Sequence, residues 1–285
     1  MAPYARRSSL FAACLLVFTP AFAAGESPSE LRFDLGAGDF LLVRGSIGGL
    51  ERLRFLIDTG ATRTFIDERI ARKLGLTLVP REGHLWALDH AGKAWQTVIP
   101  SLQFGPIRVE SSSGLVMDLS AVRWVGPIDA VIGLDLLRLE SFLIDYGSRR
   151  IMFGPLRDST DSISFQTLSP LLTVDATIER RPVRLMVDTA GSRLILFSDQ
   201  MGARLPRFRY RGHTKVLGAL GASIAHAIDL TAVRLGETVL LGHDAVLLDG
   251  AGAPYGGVDG VLGALSQTLK VVGFDFERNR LQWEK

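Results

Sequence analysis

Arg54-Phe55-Leu56-Ile57-Asp58-Thr59-Gly60-Ala61 and Arg184-Leu185-Met186-Val187-Asp188-Thr189-Ala190-Gly191 are two copies of one pattern, 130 positions apart. The same offset carries Ile128-Asp129-Ala130-Val131-Ile132-Gly133 onto Val258-Asp259-Gly260-Val261-Leu262-Gly263, and Asp145 onto Asp275. Chance does not align separate blocks at one spacing, so the chain is a duplicated half. A duplication that puts one Asp at the same turn of each half can bring two carboxylates together across a pseudo-two-fold axis. Carboxylates paired in this way can activate water.

An ordinary strand-ending turn would also favour Asp, Thr and Gly. Against that reading, Ile57 and Val187 each end an apolar run, which sets both Asp side chains beside a core where an unpaired carboxylate is costly. Two carboxyls a few ångströms apart cannot both ionise cheaply, so one holds a proton and the other is a base. Water between Asp58 and Asp188 would lose a proton to the ionised member and attack a peptide carbonyl, whose oxygen is protonated by the other. That chemistry calls for no metal, cofactor or covalent intermediate. Gly60 allows a tight backbone approach. The second copy departs at its third position, where Ala190 replaces glycine and Gly191 follows one place later. If that position needs a positive φ, alanine costs roughly 1 kcal/mol. If it needs the absence of a Cβ, Ala190 displaces Asp188.

Residues 1–23 read as a secretory signal peptide, with Arg6 and Arg7 before an apolar run from Leu10 to Phe18 and then Ala21-Phe22-Ala23. The run is shorter than the roughly 20 apolar residues a membrane span takes, so export to the periplasm or beyond is expected, with no stable membrane span. A lipoprotein reading would use Cys14, but the apolar stretch before it is very short. Cys14 is the chain's one cysteine, so the mature protein has no disulfide. Of the 32 basic residues two lie in the leader, which leaves 30 basic against 30 acidic. General electrostatic capture of nucleic acid or anionic membrane is not expected from that balance.

Short β-branched runs such as Val183 to Val187 and Val271 to Phe276, bounded by Gly, Pro, Asp and Asn, predict an all-β class with a few short helices. One helix is predicted over Glu68 to Leu74, capped by Asp67 and stopped by Gly75, with a weaker counterpart over Ser198 to Ala203. The polar stretch Pro155 to Ser162 falls where one repeat ends and reads as a linker. It divides the mature chain into an N-terminal lobe, 24–156, and a C-terminal lobe, 157–285.

With these features together, the chain resembles the aspartic protease superfamily, in its secreted bacterial, retropepsin-like branch with both lobes fused. Phe55 to Ile66 is similar to the family's active-site pattern, and Val131-Ile132-Gly133 and Val261-Leu262-Gly263 are similar to its second signature, which packs across the Asp-bearing loop. The resemblance implies a bilobal fold with pseudo-two-fold symmetry and an aspartic endopeptidase whose catalytic pair is Asp58 and Asp188. It also implies orienting roles for Thr59 and Thr189, hydrogen-bonded across the axis, and for Gly60. Ala61 stands where pepsin-type members generally carry Ser or Thr, which predicts a less stabilised ionised form. A complete second half makes pairing with another chain redundant, so a monomer is expected.

Each half also offers a candidate flap over the substrate. One is Leu85 to Trp95 with its tip at Asp89, His90, Ala91 and Gly92; the other is Lys215 to Ala225 with its tip near Gly218, Ala219, Leu220 and Gly221. Flap strands would offer backbone groups to an extended peptide, so a peptide or protein substrate is expected. The bland alternative is a pair of surface hairpins, and Trp86 reads equally as a pocket wall or a core residue.

Other features carry less. Arg204-Leu205-Pro206-Arg207-Phe208-Arg209-Tyr210-Arg211 interleaves basic and aromatic residues, but strand alternation simply puts Arg outward and Phe208 and Tyr210 inward. The five His residues (His84, His90, His213, His226 and His243) lack ligand spacing, so no metal site is expected. Gly-rich Gly250 to Gly263 lacks the Lys-Ser or Lys-Thr of a phosphate loop. The rival of a different class is a noncatalytic peptide-binding module that kept the cleft and lost its chemistry through Ala190.

Overall fold

The structure, a computed structural model, describes residues 29–37, 39–168, 171–204, 208–230, 232–240, 245–252 and 255–285. The leader read over residues 1–23, Cys14 within it, and His243 lie outside them. Among the described residues no helix is long and apolar enough to cross a membrane.

The duplication reappears as two sets of strands with the same pairing pattern. In the first half Phe40–Ile47 and Leu50–Ile57 form an antiparallel pair in which Val43 faces Phe55. Ala130–Ile132 then runs parallel to Leu50–Ile57, with Val131 beside Leu56, and antiparallel to Phe65–Asp67, with Val131 beside Phe65. In the second half Gly260–Leu262 lies parallel to Arg181–Val187, with Val261 beside Met186, and antiparallel to Leu194–Phe197, with Val261 beside Ile195. The inserted strand's parallel and antiparallel pairings are each the other half's shifted by the sequence offset, whereas the neighbouring hairpin slips by one residue: Leu185, the counterpart of Phe55, faces Val174 rather than Thr173. The inserted strand is buried on both faces, which is why it reads as an unbroken apolar run rather than an alternating one.

Helix formation follows the capping chemistry. Asp67 accepts a hydrogen bond from the Arg69 amide at 2.9 Å and starts the helix Glu68–Lys73, which closes at Leu74 before Gly75 turns to positive φ. Phe197 occupies the equivalent place in the second half and has no side-chain cap; there the helix is only Ser198–Met201, running into the 3₁₀ turn Gly202–Arg204.

Where the halves meet, they share one antiparallel sheet. Strands Glu30–Gly36, Arg150–Phe153 and Phe142–Asp145 come from the first half, and Val271–Asp275, Arg280–Glu284 and Ser162–Leu168 from the second. The central register pairs Leu143 with Gly273, its own counterpart at the repeat offset, so the pseudo-two-fold axis passes between them. Phe142 and Phe274, both fully buried, pack with their rings tilted near this axis, centroids 4.9 Å apart. Residues 155–161, between strands Arg150–Phe153 and Ser162–Leu168, form no strand or helix.

One expectation fails. Phe208 packs on the core, but Tyr210 is 54% exposed and turns outward, with its ring edge against His226. Phe208 lies just before the strand Arg209–Gly218, so the alternation assumed for that stretch does not run through it, and a β-bulge follows between Tyr210 and Gly212. Arg204 is exposed, as expected, and its guanidinium also pairs with the buried carboxylate of Asp259.

Candidate active site

Strands Leu50–Ile57 and Arg181–Val187 end at the floor of a cleft between the halves, and the next residue of each is an aspartate. The Asp58 amide donates to the Ile132 carbonyl at 3.0 Å and the Asp188 amide to the Leu262 carbonyl at 3.1 Å, so the inserted strand pins each loop. The Asp129 carboxylate accepts from the Arg54 amide and that of Asp259 from the Arg184 amide, both at 2.9 Å. The second block thereby holds the approach to each aspartate. Bare glycines follow, because a Cβ on Gly133 would lie 2.5 Å from the Arg63 carbonyl oxygen and one on Gly263 would lie 2.6 Å from that of Arg193.

The threonines lock the loops to each other. Thr59 Oγ1 donates to the Val187 carbonyl and accepts the Thr189 amide, at 2.9 and 3.1 Å. Thr189 Oγ1 donates to the Ile57 carbonyl and accepts the Thr59 amide, at the same 2.9 and 3.1 Å. Both side chains are buried, so all four groups depend on this reciprocal arrangement.

Between the threonines the two carboxyl groups come together. Asp58 Oδ1 accepts the amides of Gly60 and Ala61 at 2.8 and 3.0 Å, and Asp188 Oδ1 accepts that of Ala190 at 2.7 Å. Burial, then the negative charge of Asp188, hold Asp58 well above the usual carboxylate range, against the pull of the Ala61 and Gly60 amides. Burial raises Asp188 as well, against the Ala190 and Gly191 amides. With the two carboxyls this close, protonation belongs to the pair rather than to either residue.

The third motif position has a clear geometric meaning. Gly60 is not at positive φ, and neither is Ala190, so the backbone-strain alternative falls away. A Cβ on Gly60 would lie 2.6 Å from the Asp188 carboxyl carbon, so this glycine exists to let the opposite aspartate in. The Ala190 methyl packs instead against the apolar cluster of the first half that includes Leu56 and Val131. The amide bond to Asp188 and the threonine lock both survive it.

Above the pair lies a cavity of about 950 Å³ reaching Asp58, Asp188, Gly60, Trp86 and the second hairpin's Gly218, Ala219 and Leu220. Trp86 is half exposed and forms part of its wall, which settles the choice between pocket and core for that residue. Phe40 and Trp124, edge to face at 5.1 Å, add an aromatic side.

Both hairpins arch over this cavity and touch. The first is shorter than expected: Leu85–Ala87 pairs with His90–Gly92 around a turn at Leu88 and Asp89, so His90 and Gly92 belong to the return strand rather than the tip, and Trp95 begins the next strand. Leu88 takes a positive φ to make that turn. The second pairs Gly218 with Gly221 and turns at Ala219 and Leu220, as expected. Leu220 rests on Gly92, where a Cβ would clash with it at 2.6 Å, and Leu88 rests on Gly218. Polar contacts add to this, since the Ser223 hydroxyl bonds the Asp89 carboxylate and His90 Nε2 lies 3.3 Å from the Ala222 carbonyl.

The profile of the aspartyl protease family matches residues 43–136 and 174–264, one stretch per half and together more than half of the chain. The chain belongs to the aspartyl protease family. Its fold is the mostly-β one with two similar halves that the duplicated motif implied. A retropepsin-like aspartic protease from Rickettsia conorii is similar at 20% identity, over 44% of this chain and 89% of that one, with a TM-score of 0.34. No curated protein matches.

Two features of this protease fold escaped the sequence reading. Tyr255 accepts the Leu88 amide at 2.9 Å and stacks on Phe197, tying the first flap's tip to the second lobe. Burial above all pushes its phenol up to about 12, so it stays neutral. Its counterpart in the repeat is Val125, which hides it from any motif search. The other is a bracket in which Asp135 accepts both the amide and the hydroxyl of Thr64, at 3.0 and 2.7 Å. Its counterparts are Leu194 and Leu265, a polar pair exchanged for an apolar pair, and that joint exchange was visible in the two copies.

Proposed function

We propose that this protein is an aspartic endopeptidase, exported by its leader to the periplasm or beyond, that hydrolyses peptide bonds of polypeptides held extended beneath its two flaps. The observation that carries the reading is the meeting of Asp58 and Asp188 across the axis, with Gly60 bare at the point of closest approach. The ionised member takes a proton from a water lying between the carboxyls. The water oxygen adds to the peptide carbonyl carbon as the protonated member gives its proton to the carbonyl oxygen. Collapse of the resulting gem-diol then expels the amine, which takes up a proton, and the pair is returned to its singly protonated state. Thr59 and Thr189 act on the loops, not on the substrate. Pocket walls such as Trp86 and Phe40 receive side chains, while the flap strands offer backbone groups to the extended chain.

The test is hydrolysis of a diverse peptide pool by the wild type, Asp58→Asn and Asp188→Asn, with and without a transition-state-mimicking aspartic protease inhibitor. The expected result is inhibitor-sensitive cleavage by the wild type and loss of nearly all of it in each variant. Wild-type turnover by either variant, on a peptide the wild type cleaves, overturns the paired mechanism. A wild type that binds peptides without cutting them supports the binding-module alternative.

A further inference from the structure

We propose that Asp39, in the first half, is a positioning residue for the catalytic loop of the second: through Gln267 it holds the Ser192 carbonyl, and with it the segment that carries Asp188. This rests on the peptidase reading above and deepens it at the same site.

The tie is a chain of hydrogen bonds that crosses between the halves. Asp39 stands immediately before strand Phe40–Ile47. Its Oδ1 accepts from the Ser266 hydroxyl at 2.7 Å and its Oδ2 from Gln267 Nε2 at 3.1 Å, both on the short helix Leu265–Thr268 of the second half. The same Gln267 nitrogen donates to the Ser192 carbonyl at 3.3 Å. Ser192 follows the Asp188 loop directly and lines the cavity. Its neighbour Gly191 is bonded to the residue before that helix, accepting the Ala264 amide at 2.6 Å. Helix and loop are thus joined at two successive carbonyls, and Asp39 fixes the helix end of the second joint.

Comparing the halves shows why the second loop needs this support. In the first half the short helix Leu134–Leu137 braces its own loop, because Asp135 grips the Thr64 amide and hydroxyl while Arg63 lies 3.5 Å from the same carboxylate. The second half has Leu194 and Leu265 at those places, so it cannot make that bracket. Ser266 and Gln267 replace it, and their own counterparts, Leu136 and Leu137, are buried in the core and carry no donor. The arrangement is therefore one-sided. The loop of Asp58 is braced within its half, and the loop of Asp188 is braced from across the axis. It is also the loop in which Ala190 takes the place of glycine. Small displacements of a reacting group cost far more in rate than the same displacement costs in stability, so loss of the tie is expected to appear chiefly in kcat.

The experiment measures kcat and KM on one cleaved peptide, well below the melting temperature, for wild type, Asp39→Ala, Gln267→Leu, which copies Leu137, and the double variant. Asp34→Ala, which removes an exposed carboxylate from strand Glu30–Gly36, is the control and is expected to match wild type. Each single variant is expected to lose roughly five- to tenfold in kcat, with KM within about twofold and the melting temperature lowered by a few degrees at most. The double variant is expected to be little slower than either single one, because both residues act along one path. Gln267 is exposed, so Gln267→Leu decides the matter even where Asp39→Ala folds poorly. Unchanged kcat in Gln267→Leu, a rise in KM alone, or losses that multiply in the double variant overturn the inference and spare the peptidase reading. Calorimetric affinity for a transition-state-mimicking inhibitor needs no turnover. A wild type that binds it without cleaving peptides, and binds it roughly tenfold more weakly in each single variant, keeps the tie and sinks the peptidase reading.

Discussion

At the level of single residues, the aspartates have raised pKa values, and this sets both stability and rate. A carboxyl whose folded pKa lies above its unfolded value near 3.9 contributes its full stability only below that value. As pH rises from there through the folded pKa, the unfolded chain sheds its proton first and stability falls. Asp58→Asn removes that loss, so the inactive variant is expected to melt higher than the wild type at pH 7. The gain is about 2–4 °C for each kcal/mol relieved and should shrink towards pH 4, as calorimetry at both pH values would show. A variant that melts lower at pH 7 contradicts the desolvated pair. Activity needs one carboxyl protonated and one ionised, and Ala61 supplies no hydroxyl to favour the ionised form. The kcat/KM profile is therefore expected to peak in mildly acidic buffer, and a rise continuing below about pH 3 on folded protein counts against this account. Ala190→Gly deletes a methyl seated on apolar surface while keeping the amide that binds Asp188. Turnover within roughly tenfold of wild type is expected, or less than about 1.4 kcal/mol in the barrier. A silent wild type that gains cleavage on this change would identify Ala190 as the lesion of a binding module.

Among the elements, the flaps are the parts that must move. Closed over the cavity, they are held by Leu220 on Gly92, Leu88 on Gly218 and the Tyr255 phenol on the Leu88 amide. A polypeptide cannot thread beneath joined tips, so each turnover includes separating and re-forming these contacts. Tyr255→Phe keeps the ring on Phe197 and removes only the hydroxyl, leaving the Leu88 amide without its partner. The expected outcome is a severalfold rise in KM with a smaller change in kcat, and a melting temperature within a few degrees of wild type. Loss of one hydrogen bond of about 1 kcal/mol accounts for that size. Unchanged KM would mean that the first flap closes without this tie. Helices tell a simpler story: Asp67 caps one and Phe197 fails to cap the other, so the duplicated segments differ in length for a local reason.

On the scale of the whole molecule, the shared sheet decides how the lobes behave. Strand Phe142–Asp145 of one half hydrogen-bonds across the axis to Val271–Asp275 of the other, joining three strands from each half into one sheet, and Phe142 and Phe274 fill the space beneath it. Phe274→Ala is expected to cost about 3–5 kcal/mol, lowering the melting temperature by on the order of 10 °C. Because both halves lean on this sheet, calorimetry is expected to show one transition shifting as a whole. Two separating transitions would show lobes that fold independently of it.

The repeat at one offset, the apolar runs ending in aspartate and the second block determined the class, the duplication and the identity of the facing carboxylates from sequence alone. They could do so because strand period, turn chemistry and the cost of a buried unpaired charge are local properties that each copy states twice. What depended on contacts between distant segments was not legible. The outward turn of Tyr210 and the grip of Tyr255 on Leu88 have no repeat or spacing behind them. The sequence likewise left two meanings open for Gly60, and only the approach of Asp188 from the other half showed that the missing Cβ, not a special φ, is what that position requires.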